Sequence, residues 1–393
     1  MEMRRVGVVA ATPKGRSAWW VVHHWAGLKF GLLLTFILFT GTLATVSNEI
    51  DWLANPAMRA PTRPGPMASW GQWYRAAESM GATVEELHAP IGAGFAVRAK
   101  VSDAQGEDRL VHIDPWTAEV QGIGSTGTVQ DVLRDLHRTL MLPSDVGIVL
   151  VGLFALPLLA TLVTAFKIYK KWWRGFTRLP RPMRHRDREM RRYIGDLHRL
   201  AGVWSLWFIA LIAATGLWYL AEKLGAGAPE HDKPERIVAA PPSAVALDRM
   251  VADAHARWPG LRLRGIEIDD ARVMLEGQDG TLLVRDRANR LWYDARDGQL
   301  LARQPAAALS AHQRIAEAAD PLHFGNWGGL ASKLVWFVFG LALTALAVTG
   351  MLICAWRIGT AGTRFTALML AMGVIGAVEL LLVIWALMGL FLG

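Results

Sequence analysis

Of the 11 histidines in this 393-residue chain, five stand in two repeated phrases. His23-His24-Trp25-Ala26-Gly27 runs on to Thr40-Gly41, and His198-Arg199-Leu200-Ala201-Gly202 runs on to Thr215-Gly216, with the same spacing from histidine to glycine and to Thr-Gly. His137 and His323 end a second pair of phrases, Asp135-Leu136-His137-Arg138 and Asp320-Pro321-Leu322-His323, each just ahead of an apolar run. A neutral imidazole offers a lone pair to iron. Two imidazoles from facing helices can hold a haem b at its axial positions while other hydrogen bonds fix the ring orientation. A duplicated chain supplies the facing helices, so the expected chemistry is two non-covalent haem b groups. The metal ligands are His23 with His198 for one and His137 with His323 for the other. C-x-x-C-H, which covalent attachment needs, is absent.

The neighbours of these histidines suit the same chemistry. Gly27, Gly202, Gly41 and Gly216 recur at matching depths, where small residues let a flat macrocycle approach the helix. Trp25, Trp204, Trp207, Trp327 and Trp336 are expected to line its faces. Arg138, Arg199, Lys333 and Lys29 are the cations expected to pair with anionic propionates, and Lys29 is otherwise awkward about two turns into an apolar span. In the repeat alignment His23 falls opposite His198 and His24 opposite Arg199, which favours His23 as ligand with His24 as the alternative. His88, His112, His185, His231, His255 and His312 have no H-x-x-H or HExxH spacing and are read as solvated surface. Glu379, the acid of the last apolar run, suits either a proton or quinone role or a helix-packing hydrogen bond.

The elements that must position these side chains are membrane spans. Hydrophobic residues make up 52% of the chain, with 18 tryptophans. Runs of about 20 mostly apolar residues, enough to cross ~30 Å of hydrocarbon, fall at 25–46, 146–169, 202–221, 330–356 and 366–392. The stretch 167–199 carries twelve Lys or Arg against three acids, and Arg4, Arg5, Lys14 and Arg16 precede the first run. Both are therefore expected in the cytoplasm, with 1–24 as a cytoplasmic N-terminus and 170–199 as a basic cytoplasmic loop. The inserts 47–143 and 222–329 then lie in the periplasm. The first holds eight basic and twelve acidic residues and the second fourteen and sixteen, so the net charge of +8 belongs to the cytoplasmic face and nucleic acid is not expected as a partner.

Within the inserts, Val111-His112-Ile113-Asp114-Pro115-Trp116-Thr117 parallels Leu291-Trp292-Tyr293-Asp294-Ala295-Arg296-Asp297, each read as strand, turn and second strand. Helix-like stretches at 68–80 and 242–257 precede them, which makes each insert a small α+β module. The expected fold is mainly α: a four-helix transmembrane bundle built from two parallel repeats, a fifth C-terminal helix, and two small periplasmic modules. Cys354 is the one cysteine, so no disulfide staples these modules. No G-x-G-x-x-G after a strand, Walker loop or G-x-S-x-G marks a soluble-type nucleotide or hydrolase site.

Residues 23–48, Leu136-His137-Arg138-Thr139-Leu140, residues 197–216, and Leu322-His323 through Gly328-Gly329-Leu330 to Thr349-Gly350-Met351 resemble the PepSY-associated transmembrane family over about residues 17–357. The sequence departs from the commonest wording in having His24 where Arg is usual, and Thr164-Ala165 where the second span often has a small-Gly pair. One branch of the family contains the FoxB-type ferric-siderophore reductases of Gram-negative bacteria. The resemblance implies PepSY-like periplasmic modules, two b-type haems and an oxidoreductase of the bacterial inner membrane. Its electrons would come from quinol or a cytoplasmic reductase and would reduce a periplasmic ferric siderophore, releasing Fe(II). Two other functions are carried beside it: a membrane cytochrome b subunit of another oxidoreductase, favoured by a dedicated soluble partner, and a non-redox protein whose modules restrain a periplasmic protease, which predicts no haem.

Overall fold

The chain passes twice through one plan in a computed structural model that describes residues 17–183, 186–230, 234, 240–269 and 272–358. In the first half α1 (Ala18–Lys29) and α2 (Gly31–Ala44) are followed by α3 (Ser47–Ala54) and α4 (Trp70–Glu78). Then come strands β1 (Thr83–His88), β2 (Val97–Ser102), β3 (Asp108–Ile113) and β4 (Val120–Ser125), helix α5 (Val129–Arg138), and α6 (Ser144–Leu153) with α7 (Ala155–Ile168). The second half repeats the order: α8 (Arg186–Trp204) and α9 (Leu206–Ala221), α10 (Ala244–Arg257), strands β5 (Arg262–Asp269), β6 (Arg272–Gln278), β7 (Arg290–Asp294) and β8 (Leu300–Gln304), then α11 (Ala311–Phe324) and α12 (Gly329–Ile358).

Among the described residues three helical stretches are long and apolar enough to cross a membrane, Ser144–Ile168, Leu206–Ala226 and Asn326–Trp356, and α1 with α2 makes a fourth if the bent pair is one span. Their outward side chains, among them Val146, Leu156, Leu334 and Val338, are exposed and apolar, as a surface in contact with lipid tails must be. Leu158, Leu162, Phe208, Ile209, Trp336 and Leu343 form the shared interior. The fifth run, 366–392, and Glu379 within it lie outside the described residues.

The run expected as one span over 25–46 is instead two helices. α1 and α2 are bent by 67° at Phe30, and α8 gives way to α9 at Ser205. Each break falls seven residues after the repeated histidine, so it belongs to the repeat rather than to one copy. Lys29 ends α1 on the exposed side of that break, which removes the difficulty of a cation two turns into a straight span.

The two inserts do not form separate sheets. Their strands join in one eight-stranded antiparallel sheet, ordered β4-β3-β2-β1-β5-β6-β7-β8. The join is the antiparallel pairing of β1 with β5, where Glu86, Leu87 and His88 face Glu267, Ile266 and Gly265. Edge strands left unpaired invite association, and each four-stranded meander covers the other's edge. α4 and α10 lie together on one face, where Asp248 accepts from Ser69 Oγ at 2.8 Å and from the Gly71 backbone at 2.7 Å. Tyr74, Leu247, Met250, Leu275 and Leu291 are buried between helices and sheet, each such side chain contributing roughly 1.5–3 kcal/mol. The repeated turn folds as the sequence predicts. Asp114 Oδ1 accepts from the Trp116 and Thr117 backbones, and Asp294 Oδ1 from Arg296.

Candidate functional site

Each histidine of the repeated phrases reaches its place by local rules. His23 rides on α1 and His198 on α8, while His137 and His323 occupy the last turns of α5 and α11, two short helices that precede the spans rather than begin them. Both short helices start with a capping box, Thr128 with Asp131 and Ser310 with Gln313. That pattern satisfies two orphan N–H groups reciprocally, and it was the sequence signal that would have located them. α5 is held further by buried Asp51, whose carboxylate accepts from the Val129 and Gln130 backbones at 2.8 and 3.0 Å. α11 ends at Gly325 in the left-handed region.

The structure brings the four rings together as two cross-repeat pairs. His137 and His323 face each other with ring centroids 6.0 Å apart and planes 39° apart. Two imidazoles gripping one metal ion at about 2 Å from each nitrogen have centroids roughly 6 Å apart. His23 and His198 share the wall of a cavity of about 440 Å³ with Gly27, Gly202, Leu343 and Leu346. A Cβ on Gly27 would meet nothing within 4 Å and one on Gly202 only Leu346, so both glycines open onto the void.

The tautomer of every ring is set by its surroundings. Thr164 Oγ1 spends its proton on the Ala160 carbonyl at 2.6 Å, so it accepts from His23 Nδ1 at 2.9 Å. Thr349 does the same between Ala345 and His198 Nδ1, and Thr215 between Leu211 and His323 Nδ1, with imidazole contacts of 2.8 and 2.7 Å. His137 Nδ1 donates to the Ile37 carbonyl at 2.9 Å. Nδ1 therefore carries the proton in all four, and Nε2 keeps a free lone pair. Imidazoles that ligate metal are oriented in the same way, the far ring N–H held by an oxygen acceptor. The close His137–His323 rings and the His23–His198 rings on a glycine-floored cavity wall are the residues that could hold two haem groups. Among the described residues no group of three or more His, Cys, Asp or Glu gathers as a site for a bare metal ion.

A family model of the PepSY-associated TM region matches residues 20–357. The chain belongs to the PepSY-associated transmembrane family. A Pseudomonas aeruginosa protein described as "Uncharacterized protein PA4219" is 29% identical over 247 residues. The match covers 57% of this chain and spans about 61% of that relative's length. Family membership accords with the membrane helices, and the residues that carried the resemblance are those now seen in the two histidine pairs.

The expected supporting residues divide. In this PepSY-family chain Arg199 reaches the cavity wall, donating to Asp196 at 2.8 Å and to the Arg178 carbonyl at 3.2 Å. Lys333 is paired with Glu49 at 2.9 Å, and Arg138 is exposed. His24 also lines the cavity, but its Nδ1 lies 2.9 Å from Cys354 Sγ and its ring stacks on Trp20. His23 alone shares the Thr contact of His198. The tryptophans expected to face a cofactor do not line the cavity. Trp25 and Trp204 point outward, each more than half exposed, because their helical phase turns them from the inward histidine face, and Trp327, also more than half exposed, sits in the turn Asn326–Gly328. Trp207 packs on Trp336 and Phe339, and Trp336 Nε1 donates to the Leu322 carbonyl beside His323. Trp20 and Trp172 line the cavity instead.

Of the histidines read as solvated, His255 is exposed, His88 contacts Glu86, and His312 donates to the Ala226 carbonyl. His112 contradicts that reading. It is 4% exposed, and burial, with the Arg98 charge opposite it, lowers its pKa to about 4. His185 and His231 lie outside the described residues.

Proposed function

We propose that the protein is a di-haem b reductase of the bacterial inner membrane, taking electrons on the cytoplasmic side and passing them to a ferric siderophore in the periplasm, with release of Fe(II). The single observation that carries this reading is the pairing of four imidazoles across the repeats, each with its Nδ1 proton committed and its Nε2 lone pair free. His23 with His198 would hold one haem and His137 with His323 the other. Haem b, when bound, supplies one-electron chemistry at iron.

The rest is the work of this chain. Thr164, Thr349, Thr215 and the Ile37 carbonyl hold the rings in the ligating tautomer. Gly27 and Gly202 keep the cavity wall flat, and Leu343 and Leu346 keep it dry. Arg199, Arg138 and Lys333 place positive charge toward carboxylates at the bundle ends. The basic stretch 170–199 orients the chain with its N-terminus inside, which puts the sheet and the His137–His323 pair on the periplasmic side, nearer a ferric substrate. Reduction weakens a siderophore's hold on iron, so a one-electron donor at that face suffices to release it.

The test is an absorption spectrum of protein purified from cells well supplied with haem, followed by alanine variants. Wild type is expected to show a reduced b-type spectrum and two haems per chain. His23→Ala and His198→Ala should form one class, His137→Ala and His323→Ala another, each losing one haem and also Fe(II) release from a ferric siderophore supplied to oriented vesicles. A colourless wild-type protein ends the proposal and favours the non-redox alternative. Haem with electron transfer only to a copurifying subunit favours the cytochrome-subunit alternative.

A further inference from the structure

The duplication departs from symmetry around His323. Tyr219, four residues after Thr215, stands where the first repeat has Ala44 four residues after Thr40. Asp320, three before His323, stands where the first repeat has Arg134 three before His137. The connection from β6 to β7, residues 279–289, is eleven residues long against five between β2 and β3, and the added length brings Arg285 and Arg287 to α11. It is a packed element, with Val284 and Ala288 buried against Ala306 and Leu309.

These additions meet in one chain of contacts. Tyr219 OH donates to Asp320 Oδ1 at 2.6 Å, and Arg285 Nη1 donates to Asp320 Oδ2 at 2.6 Å. Arg285 also donates from Nε and Nη2 to the two Glu317 oxygens at 2.9 and 3.0 Å, and Arg287 Nε donates to Glu317 at 3.2 Å. The Tyr219 ring stands edge-on to the His323 ring with centroids 5.3 Å apart. A planar guanidinium bonded to two carboxylates one turn apart fixes a helix more firmly than a point charge would. The first repeat has no counterpart. Ala44 and Arg134 stand at the matching positions, and His137 donates to a backbone carbonyl.

We propose that Tyr219, Asp320 and Arg285 are positioning residues for His323, a strut from the second half of the sheet that fixes this one ligand's orientation and sets the charge around it. His137 has no such strut and is set instead by α2, whose Ile37 carbonyl accepts from its Nδ1, so the sheet-proximal pair is built asymmetrically. The inference rests on the reading of His137 and His323 as haem ligands. If wild type binds no haem, that reading fails and the strut's role falls with it.

The experiment uses full-length, haem-loaded protein, with low-temperature electron paramagnetic resonance of the oxidised haems and a reductive titration followed optically. The haem missing in His323→Ala identifies the relevant signal. Tyr219→Phe, which removes one hydroxyl and keeps the ring, should shift that signal while haem content stays at two and the other haem's signal is unmoved. Arg285→Ala leaves the Asp320 carboxylate without its cation and Glu317 with Arg287 alone, which favours ferric iron, so the midpoint potential of that haem should fall. Asp320→Asn should raise it, and Arg285→Lys should restore most of the Arg285→Ala change. Arg257→Ala, which breaks an ion pair with Asp253 on the far helix layer, should move neither signal. Unmoved signals and potentials in the three strut variants overturn the proposal. Equal changes in both haems also overturn it, since they mark general loosening rather than positioning.

Discussion

At the His23–His198 pair, Thr349 has a second task besides packing, because its hydroxyl is the acceptor that fixes the His198 Nδ1 proton. Thr349→Val keeps the shape and removes the acceptor, leaving a buried N–H unpaired at a cost of about 1–3 kcal/mol. The expected outcome is a roughly 10- to 100-fold weaker hold on one haem, measured as haem retained during dilution, with the other haem unaffected; equal retention of both would remove Thr349 from the ligand's support. His112 carries a different consequence. Its folded pKa of about 4 lies below the ordinary imidazole value of 6.5, so the unfolded chain binds a proton that the folded chain refuses between those values. Stability from the neutral ring is complete above pH 6.5 and is lost as pH falls toward 4, by about 3 kcal/mol in all. Thermal melts of the wild type should drop over that window, and His112→Asn should flatten this part of the slope; an unchanged slope would assign the acid sensitivity to other groups.

The helices that carry the ligands are set by close approaches in which single glycines are decisive. A Cβ on Gly41 of α2 would lie 2.6 Å from Cε1 and 2.7 Å from Nδ1 of His137, so the α2 backbone serves as the wall against which that ring rests. Gly41→Ala is expected to push His137 off the Ile37 carbonyl and to cost the haem that His137→Ala costs, read by counting haem per chain. Gly202→Ala is the contrast, since its Cβ would stand 3.7 Å from Leu346 at the edge of a void, and the fold should tolerate it. Much of this was legible in the sequence, because a repeat with fixed His-to-Gly and His-to-Thr spacing identifies facing helices before any coordinates exist. The bend after Lys29 and the helix break at Ser205 were not, since no proline marks them and apolar periodicity runs straight through. The outward phase of Trp25 and Trp204 was also missed, because composition near a site does not specify which side of a helix a ring occupies. The capping boxes of α5 and α11 were readable, yet both helices lie hidden between a strand pattern and an apolar run.

For the molecule as a whole, the largest gap between sequence and structure is the union of the inserts. Each reads as a self-sufficient module, and alternation within a strand says which face is buried but not which distant strand lies alongside it. The pairing of β1 with β5 joins segments roughly 180 residues apart and places Glu86 opposite Glu267, a like-charge pair that local design would avoid. The continuous sheet carries the strut to α11, and its other edge strand β4 leads along the chain into α5, so the two helices that bear the His137–His323 pair leave one sheet. Replacing both glutamates, Glu86→Cys with Glu267→Cys, should therefore give an intrachain disulfide in an oxidising compartment, because directly opposed residues of antiparallel strands lie within about 4.5–5.5 Å. The product is read as a mobility shift reversed by reductant, absent from either single variant. Because Cys354 is buried in the membrane bundle, it should not compete. Failure of the pair to cross-link, or cross-linking only between chains, would mean that the halves carry independent sheets and that the two histidines are positioned separately.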